Sequence, residues 1–445
     1  MKKLLALAMT LALCMSLIAA IPVAAEEPIH IKVALFDSGT NMSESRKSVF
    51  EAFTKENPNI IPEFMFVTSE SYGSNWNGYL MKIQTMIASG NAPDVIALGL
   101  EGIAMLVMND LALPLDDYIA ANPEELTPIM DGIDKELLEI FRVGGKLYGV
   151  PFEANSVVTH IRKDMFEKAG VALPGPDWTF EDFKAACEKI ADPDNGVYAF
   201  GVPTNFFCLQ AWLYANGGAP LNDQWNAAAI NSPEVVEVMQ FFQDAIFKYR
   251  WAPQPNNNIT DVELISQGRT AMGWWGRWVS GDYTASDLRN TIYVQNMPAM
   301  KADHTSCAGS ASFVVLKSTQ HPEEAKKVAL WCAGKDYVDT FLTTGSLPAN
   351  ATFGAELCAA DPTIENWQAM YKVYEDGAWR RSQDPPEYAD LANIYSKYMD
   401  IIYSNQMPAK EALDLAAEEI NQCFANSTYR DTPEKLAVID SLFKN

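Results

Sequence analysis

A short aromatic run in the chain combines the side chains that a sugar site needs. Gly273-Trp274-Trp275-Gly276-Arg277-Trp278 brings indole rings and a guanidinium close together in sequence. A sugar ring has apolar C–H faces, which flat rings cover, and a polar rim, which carboxylates, amides or arginine can hydrogen-bond. Because side chains alternate along a strand, Trp274 and Trp275 are expected on opposite faces, with at least one of them in the core.

Polar side chains also follow three predicted strands in the first part of the chain. Ser38 and Gly39 come after the first strand, and Tyr72 and Asn75 lie in the loop after the second. Glu101 follows the third strand. Because ligands of open α/β sheets bind beyond the carboxyl ends of the strands, we expect these side chains at a common binding edge.

Two further groups of candidates lie later in the sequence. Asn205 and Phe206 precede an apolar helix in which Trp212 is expected to pack in the core. Trp379 and Arg380 fall in a segment flanked by glycine, aspartate and proline, which is typical of an exposed loop. An exposed tryptophan beside arginine can contact a ligand, and packing on the surface is an equal alternative.

Alternating strand and helix patterns must position these residues. Strands are predicted at 29–36, 60–67 and 94–98, with helices between them. This order predicts a parallel sheet covered by helices on both sides. A second α/β unit follows, with helices beginning near Thr179 and Ser232, a strand at 311–316 and a helix at 409–424.

Composition and charge limit the class of protein. Residues 1–25 are typical of an export signal cleaved after about Ala25, with Lys2 and Lys3 before an apolar stretch and without a convincing lipid-attachment cysteine. The remaining 31 basic and 57 acidic side chains give a net charge of −26, which disfavours nucleic acid and anionic membrane surfaces as partners. Roughly 420 residues predict two domains.

Several segments, in this order, resemble the family 1 extracellular solute-binding proteins, which include the maltose- and oligosaccharide-binding components of ABC importers. The resemblance runs from about residue 50 to residue 419, and the run from Lys82 to Val95 is its most specific part. The segments that carry it are Phe53-Thr54-Lys55-Glu56-Asn57-Pro58, 82–95, Leu113-Pro114-Leu115-Asp116-Asp117-Tyr118, Tyr148-Gly149-Val150-Pro151, 162–170, Gln267-Gly268-Arg269-Thr270-Ala271-Met272 and Gly345-Ser346-Leu347-Pro348-Ala349-Asn350.

This resemblance implies a two-lobed, hinged periplasmic-binding-protein fold of the α/β class, each lobe having a central sheet flanked by helices. Residues 26–150 and 309–345 are predicted to form lobe one, and residues 151–308 and 346–445 to form lobe two. The chain would cross between the lobes near residues 150–155, 307–309 and 345–349. The resemblance also implies an extracytoplasmic monomer that binds a carbohydrate, needs no cofactor and works with the permease subunits of an ABC transporter.

The resemblance adds candidates at the crossings and in the aromatic run. Glu153 and Asn155 would line the floor of the cleft, or would instead pair with hinge backbone, and these alternatives stay open. The family places ligand contacts just after the Gly-Arg-Thr-Ala-Met segment, which favours the end of the aromatic run. The full set of predicted ligand-binding residues is Ser38, Gly39, Tyr72, Asn75, Glu101, Glu153, Asn155, Asn205, Phe206, Trp275, Arg277, Trp278, Ser310, Trp379 and Arg380.

Two other functions fit parts of the sequence. A secreted carbohydrate hydrolase needs two positioned carboxylates, which so acidic a chain can supply, but none of the common nucleophile, metalloprotease or nucleotide motifs is present. A polyamine- or peptide-binding protein of the same fold is the other alternative. The four histidines are far apart, so no metal site is predicted, and the scattered cysteines are expected to be buried free thiols.

Overall fold

The structure is a computed structural model that describes residues 27–37, 43–68, 76–256, 258–284, 288, 290–342, 347–360 and 364–443. The predicted export signal therefore lies outside the described residues. The strands are β1 Ile29–Asp37, β2 Ile60–Thr68, β3 Val95–Gly99, β4 Arg142–Val143, β5 Lys146–Leu147, β6 Pro151–Ser156, β7 Val158–Arg162, β8 Tyr198–Phe200, β9 Thr270–Trp275, β10 Ile292–Gln295, β11 Ser306–Val315, β12 Leu347–Pro348, β13 Ile364–Glu365 and β14 Trp379–Arg381.

Helices cover both halves of the chain, and short 3₁₀ turns occur at Pro193–Asn195 and Arg277–Val279. The helices are α1 Ser43–Glu56, α2 Trp76–Ala88, α3 Leu100–Met108, α4 Asp116–Ala121, α5 Pro123–Met130, α6 Lys135–Glu139, α7 Lys163–Lys168, α8 Phe180–Ile190, α9 Phe206–Ala215, α10 Pro233–Phe247, α11 Asp261–Ser266, α12 Ser280–Thr284, α13 Pro322–Trp331, α14 Lys335–Leu342, α15 Ala351–Ala360, α16 Gln368–Glu375, α17 Tyr388–Tyr403, α18 Ala409–Asn426 and α19 Pro433–Ser441.

Two separate sheets organise the molecule. The first has the order β12-β6-β11-β3-β1-β2, with β14 also paired to β11, and the second has the order β13-β10-β7-β9-β8. As predicted, β1 runs parallel to both β2 and β3. The sequence did not predict that β11 would run antiparallel to β3 and β6. Each sheet is mixed, because distant segments of the chain return to complete it.

Local signals set several helix boundaries where they were expected. At the start of α8, the Thr179 hydroxyl accepts a hydrogen bond from the backbone N–H of Asp182, and the Asp182 carboxylate accepts one from the Thr179 N–H in return. This reciprocal cap satisfies amides that the first helical turn leaves free. Helix α10 begins with Pro233 in its first turn, and α18 extends over the predicted 409–424 segment.

The chain passes between the sheets through adjacent strands. β6 of the first sheet is followed by β7 of the second after a single residue, Val157, and β10 of the second sheet leads to β11 of the first. These two passages are tied together, because the Val157 N–H donates to the Cys307 carbonyl and the Ser306 hydroxyl donates to the Val157 carbonyl. Strands β12 and β14 also join the first sheet. The residue boundaries of the two lobes remain a prediction.

Each of the two sheets packs against its own group of aromatic side chains. At the second sheet, Trp274 lies 4.7 Å from Trp212 in an edge-on arrangement, and Phe183 and Phe200 pack against the Trp274 ring. At the first sheet, Phe313 packs between Phe152 and Tyr337. Trp274 and Trp212 are almost wholly buried, which confirms that the core takes one tryptophan of the aromatic run and the expected helix tryptophan. Among the described residues, no helix has the length and apolarity needed to span a membrane.

Candidate functional site

Glu101 lies at the carboxyl end of strand β3 in the first sheet, where β3 ends and helix α3 begins. Its side chain is 8 % exposed, and its Oε2 atom has no hydrogen-bond partner among the described residues. The carboxylate stands beside the Trp76 ring, and a side chain at Gly99 would collide with both groups. Close packing at the end of β3 therefore fixes a carboxylate and an indole next to each other.

Two further aromatic rings pack next to Trp76 at the same end of the sheet. The Phe36 ring lies 4.7 Å from the Trp76 ring, and Tyr79 packs edge-on against both. The Tyr79 hydroxyl donates to the Ala34 carbonyl, which anchors α2 to β1. The spacing of Trp76, Leu80, Ile83 and Ile87 by four, three and four residues predicts one inner face of a helix. It does not show that Trp76, the first residue of that helix, reaches the binding edge.

Glu153, Asn155 and Ser310 lie together where β6 and β11 pair. Glu153 and Ser310 are buried, and Asn155 donates its side-chain amide to the Glu153 carboxylate at 3.2 Å. The Ser310 hydroxyl donates to the Glu153 backbone carbonyl at 2.5 Å. Next to them, Gly309 allows the Leu100 side chain and the Phe207 ring to approach the strand closely. Phe207 thus brings α9, which packs on the second sheet, into contact with the first.

Asp384 supplies a further buried carboxylate that the sequence analysis missed. It is 1 % exposed and lies in the loop between β14 and α17, where the Ser382 hydroxyl donates to its Oδ1 atom. Gln210 of α9 donates in turn to the Ser382 hydroxyl. The other oxygen, Oδ2, has no partner among the described residues. A polar segment before two prolines is typical of an exposed loop, so its sequence gave no signal of burial.

Burial and like charge determine the ionisation of this group of acids. Burial raises the pKa of Glu101 to about 8, and the negative charges of Asp384 and Glu153 add to that rise. Burial also raises the pKa of Asp384 to about 7, while the hydrogen bond from Ser382 and the positive charge of Arg381 oppose it. Near neutral pH, protonated and ionised forms of these carboxyls therefore lie close in free energy.

The loop that carries Asp384 is held by a buried ion pair at its end. The Glu387 carboxylate accepts from Arg430 Nε at 2.8 Å and from Arg430 Nη2 at 3.1 Å. The Ser427 hydroxyl donates to the same carboxylate, and Arg430 also donates to the Trp225 carbonyl. The segment after α18 thereby fixes the start of α17, next to Asp384.

The sequence profile of the family described as bacterial extracellular solute-binding protein matches residues 37–339. The chain belongs to this family. Among its relatives is a maltotriose-binding protein of Pyrococcus abyssi, 25% identical over 82% of this chain and 81% of that protein. Another is a mannitol-binding protein of Pseudomonas aeruginosa, 21% identical over 72% of each chain.

Solved structures of similar proteins confirm the two-lobed fold. An ABC substrate-binding protein from Listeria monocytogenes in complex with cycloalternan superposes with a TM-score of 0.79 at 23% identity, covering 90% of this chain and 100% of that one. A solute-binding protein from Thermotoga lettingae bound with alpha-D-tagatose superposes with a TM-score of 0.77 at 22% identity, covering 89% and 100%. The two sheets of this solute-binding protein are thus the centres of its two lobes.

In this solute-binding protein the aromatic run is divided between enclosed and partly exposed positions. The Trp275 side chain is 3 % exposed; its indole hydrogen-bonds the Asp261 carboxylate, and its carbonyl accepts from His160 Nε2 at 3.1 Å. Trp278 is only partly buried, and its ring lies 6.1 Å from the Phe207 ring. Burial favours a packing role for Trp275 and leaves Trp278 as the partly exposed ring. Arg277 is buried, and its turn contacts β6.

The remaining predicted site residues are distributed as follows. Asn205 caps α9 by accepting from the Phe207 N–H, and the Phe206 ring stacks on Tyr395 at 3.7 Å. Trp379 and Arg380 lie in β14 and not in the predicted loop, because this segment pairs with β11, and both side chains are partly exposed. Arg380 lies over the Tyr214 ring. The predicted residues Ser38, Gly39, Tyr72 and Asn75 lie outside the described residues.

The described residues contain no cluster of three or more His, Cys, Asp or Glu that could hold a metal ion. The thiols of Cys187, Cys208, Cys307 and Cys332 are buried and free, as predicted. Cys423 is also free but only partly buried, so the prediction of burial was wrong there. Burial raises the pKa of each of the four thiols well above its usual range. They are therefore protonated and poor nucleophiles.

Replacing Glu101 by Gln should change how stability depends on pH. Because the pKa of Glu101 is raised from 4.5 to about 8 in the folded state, the folded protein holds a proton that the unfolded chain loses, and stability falls as pH rises through this window. Glu101→Gln removes that loss, so its stability relative to the natural chain should increase by about 3–4 kcal/mol between pH 5 and pH 8. Urea denaturation across this range measures the difference.

The exposed Glu136 of α6 offers a matched control for the same chemical change. Glu136→Gln should leave the pH dependence of unfolding as in the natural chain. A Glu101→Gln protein whose stability differs from the natural chain by a constant amount at every pH would show that Glu101 is ionised normally.

Proposed function

We propose that this protein captures a carbohydrate outside the cytoplasm by closing its two lobes around it, and presents the closed complex to the permease subunits of an ABC transporter. The observation that carries the proposal is the group of buried polar side chains where the lobes meet. Glu101, Glu153 and Asp384 come from three distant parts of the chain. One carboxylate oxygen of Glu101 and one of Asp384 have no hydrogen-bond partner among the described residues. A ligand with several hydrogen-bond donors would supply those missing hydrogen bonds.

The aromatic side chains fit the same class of ligand. Trp76 stands beside the Glu101 carboxylate, and Trp278 and Phe207 lie near the passage between the lobes. Rings of this kind cover the apolar faces of a sugar while carboxylates bind its hydroxyls. The relatives named for binding maltotriose and mannitol support a carbohydrate or polyol as the ligand.

Capture works by a shift between conformations. A ligand that contacts both lobes only when they are closed stabilises the closed form by its difference in affinity for the two forms. Phe207 already links α9 to Gly309 and Leu100, and the paired passages at Val157 and Cys307 form a short connection on which the lobes can rotate. The permease would then recognise the closed shape.

The placement of the protein outside the cytoplasm, and its action as a monomer, belong to this proposal. The acidic composition and the signal-like residues 1–25 support export. Expression of the full chain in a bacterial host, followed by N-terminal sequencing of the exported protein, should give a mature terminus near Glu26. A protein that stays in the cytoplasm with its first residues intact would contradict the export proposal.

A thermal-shift screen of the protein without residues 1–25 tests the proposed function. Mono- and oligosaccharides, polyols, polyamines and short peptides are compared, because a ligand that binds only the folded state raises the melting temperature. We expect a shift with one class of carbohydrate, recovery of that carbohydrate intact, and a smaller radius of gyration in its presence. Recovery of cleaved carbohydrate would favour the hydrolase alternative, in which Glu101 and Asp384 act as the two carboxylates.

Trp278→Ala should weaken carbohydrate binding more than it weakens the fold. Because the Trp278 ring is partly exposed and lies near Phe207, we expect the dissociation constant to rise by about ten- to a hundredfold. Trp278→Phe should recover most of the affinity, since it keeps a flat ring. Isothermal titration gives the affinities, and an unchanged affinity in Trp278→Ala would remove this ring from the site.

A further inference from the structure

The last part of the chain contacts both lobes. Helix α18 packs against α10, whose Phe242 ring packs edge-on against Trp212 in the aromatic group of the second sheet. The chain then continues through residues 427–443, named here the C-terminal strap, and helix α19 of this strap packs against α3 on the first sheet. The predicted crossings near residues 150–155, 307–309 and 345–349 do not include this connection.

Two hydrogen bonds attach the C-terminal strap to the first lobe. The Asn109 side-chain amide, just after α3, donates to the Tyr429 hydroxyl at 2.9 Å. The Gly144 N–H, in the turn between β4 and β5, donates to the Ser441 hydroxyl at 2.9 Å, and Val438 lies near the same turn. Strand β4 itself packs against α3. Both bonds therefore end on elements that belong with the first sheet.

The same strap is attached to the second lobe by stronger contacts. Arg430 donates to the Trp225 carbonyl at 2.9 Å and forms the buried ion pair with Glu387. The Phe443 ring lies 6.1 Å from the Trp225 ring. Hydrogen bonds between charged groups are stronger than neutral ones, so the strap should stay with the second lobe when the lobes move. A change in the angle between the lobes must then break its neutral bonds to the first lobe.

The C-terminal strap also reaches the elements that carry the acids of the proposed site. Asn109 and Glu101 lie at opposite ends of α3, about 12 Å apart along the helix axis. Arg381 of β14, three residues before Asp384, donates to the Leu442 carbonyl of the strap and to the Ile140 carbonyl of the first lobe. The strap thus contacts supports of both carboxyls from outside the cleft.

The arrangement that the strap bridges is one in which the acids are enclosed. Glu101 is 8 % exposed and Asp384 is 1 % exposed, and the Phe207 ring of α9 lies against Gly309 of the first sheet. A ligand that contacts both lobes binds the form in which the lobes meet more tightly than the separated form. Contacts of the strap in this arrangement therefore favour the form that binds ligand.

We propose that the C-terminal strap holds the two lobes at this angle, and that its bonds from Asn109 to Tyr429 and from Gly144 to Ser441 are the contacts that open when the lobes separate. The inference deepens the function proposed above, because it concerns the closure on which capture depends. Each neutral hydrogen bond contributes modestly to an equilibrium, so losing both should change the ratio of the two forms by about 5- to 30-fold.

Distances measured between the lobes of the ligand-free protein test this proposal. Spin labels are attached to Met81→Cys on α2 and Leu173→Cys between α7 and α8, where the natural side chains are 57% and 37% exposed. Cys358→Ser and Cys423→Ser remove other thiols from reaction with the label. In double electron–electron resonance, the strap variant Tyr429→Phe/Ser441→Ala should give a broader distribution of distances than the natural pair of side chains.

A matched control carries the same two chemical changes within the second lobe. The Tyr398 hydroxyl donates to Glu419, and the Ser404 hydroxyl donates to the Asp400 carbonyl one turn earlier. Ser441 makes a similar bond within its own helix, to the Val438 carbonyl. Tyr398→Phe/Ser404→Ala should therefore leave the distance distribution unchanged. The proposal is overturned if the strap variant shows no broadening, or if this control broadens equally.

Affinity provides a second readout and separates the strap from the proposed function. For a carbohydrate found in the thermal-shift screen, the strap variant should bind more weakly than the control, by no more than about thirtyfold, because a smaller fraction of the protein is in the binding form. Equal or tighter binding would contradict the proposal. If no carbohydrate binds, the proposed function fails, and the distances still decide whether the strap holds the lobes.

Discussion

Trp275→Ala should lower the free energy of unfolding by about 3–5 kcal/mol, because it removes a buried ring and leaves a cavity that the sheet cannot fill. The Trp275 ring packs against Gly273 and lies 5.6 Å from the His160 ring. The same substitution takes away the hydrogen bond that the indole makes to Asp261, whose pKa burial has already raised to about 6. Urea denaturation at pH 7 measures the change.

Two controls divide this effect into its parts. Trp275→Phe keeps one six-membered ring but loses the indole N–H and part of the ring volume, so it should cost less than Trp275→Ala, about 1–3 kcal/mol. Tyr249→Ala, at a ring that is 41% exposed, should cost well under the value for Trp275→Ala. If Trp275→Ala unfolds like the natural chain but no longer binds carbohydrate, the ring contacts the ligand, as the sequence pattern first indicated.

Arg430→Ala should destabilise the protein by about 3–5 kcal/mol, because it leaves the Glu387 carboxylate buried without its partner. The two side chains are 10% and 3% exposed, and the guanidinium donates to both carboxylate oxygens. Since Glu387 ends the loop that carries Asp384, carbohydrate affinity should fall as well. Denaturation curves and calorimetric titration of the same protein measure the two effects.

A surface ion pair provides the matched comparison. Lys410 and Asp414 form an exposed pair on α18, so Lys410→Ala should change stability by less than about 0.5 kcal/mol. Adding Glu387→Gln to Arg430→Ala should restore part of the lost stability, because a buried amide costs less than an unpaired carboxylate. A loss in Arg430→Ala no larger than that in Lys410→Ala would show that water reaches Glu387.

The acid group at the lobe interface links stability, ligand binding and pH in one place. Burial raises the pKa values of Glu101 and Asp384, so the folded protein is more stable at a pH at which these two carboxyls are protonated. Ionisation of these two carboxyls therefore lowers stability as pH rises, and this relation explains why Glu101→Gln should stabilise the fold at high pH.

Local sequence signals predicted much of the fold because they depend on nearby residues. The cap formed by Thr179 and Asp182 fixed the start of α8, and the spacing of Trp76, Leu80 and Ile83 marked the inner face of α2. The parallel pairing of β1 with β2 and β3 followed from the alternation of strands and helices. The ordered family segments identified the two-lobed fold, since their sequence similarity extends over nearly the whole chain.

The site was only partly predictable, because it is formed by contacts between distant segments. Glu101 and Glu153 were recognised from their places after a strand and at a passage between lobes. Asp384 was missed, since its burial depends on Gln210 holding Ser382 and on Arg430 holding Glu387. Trp275 and Trp278 share one run, and only the packing of β9 against β7 shows which ring is enclosed.

By itself, the sequence determined the α/β class, the family and the residue types available for binding a sugar, because composition, periodicity and motif order do not depend on contacts between distant segments. Only the tertiary structure decided which of those residues meet, which are enclosed and which carboxyls lack a partner. Ionisation and selectivity follow from burial and from charges within a few ångströms. Those distances depend on segments that lie far apart along the chain, such as α3 and the loop before α17.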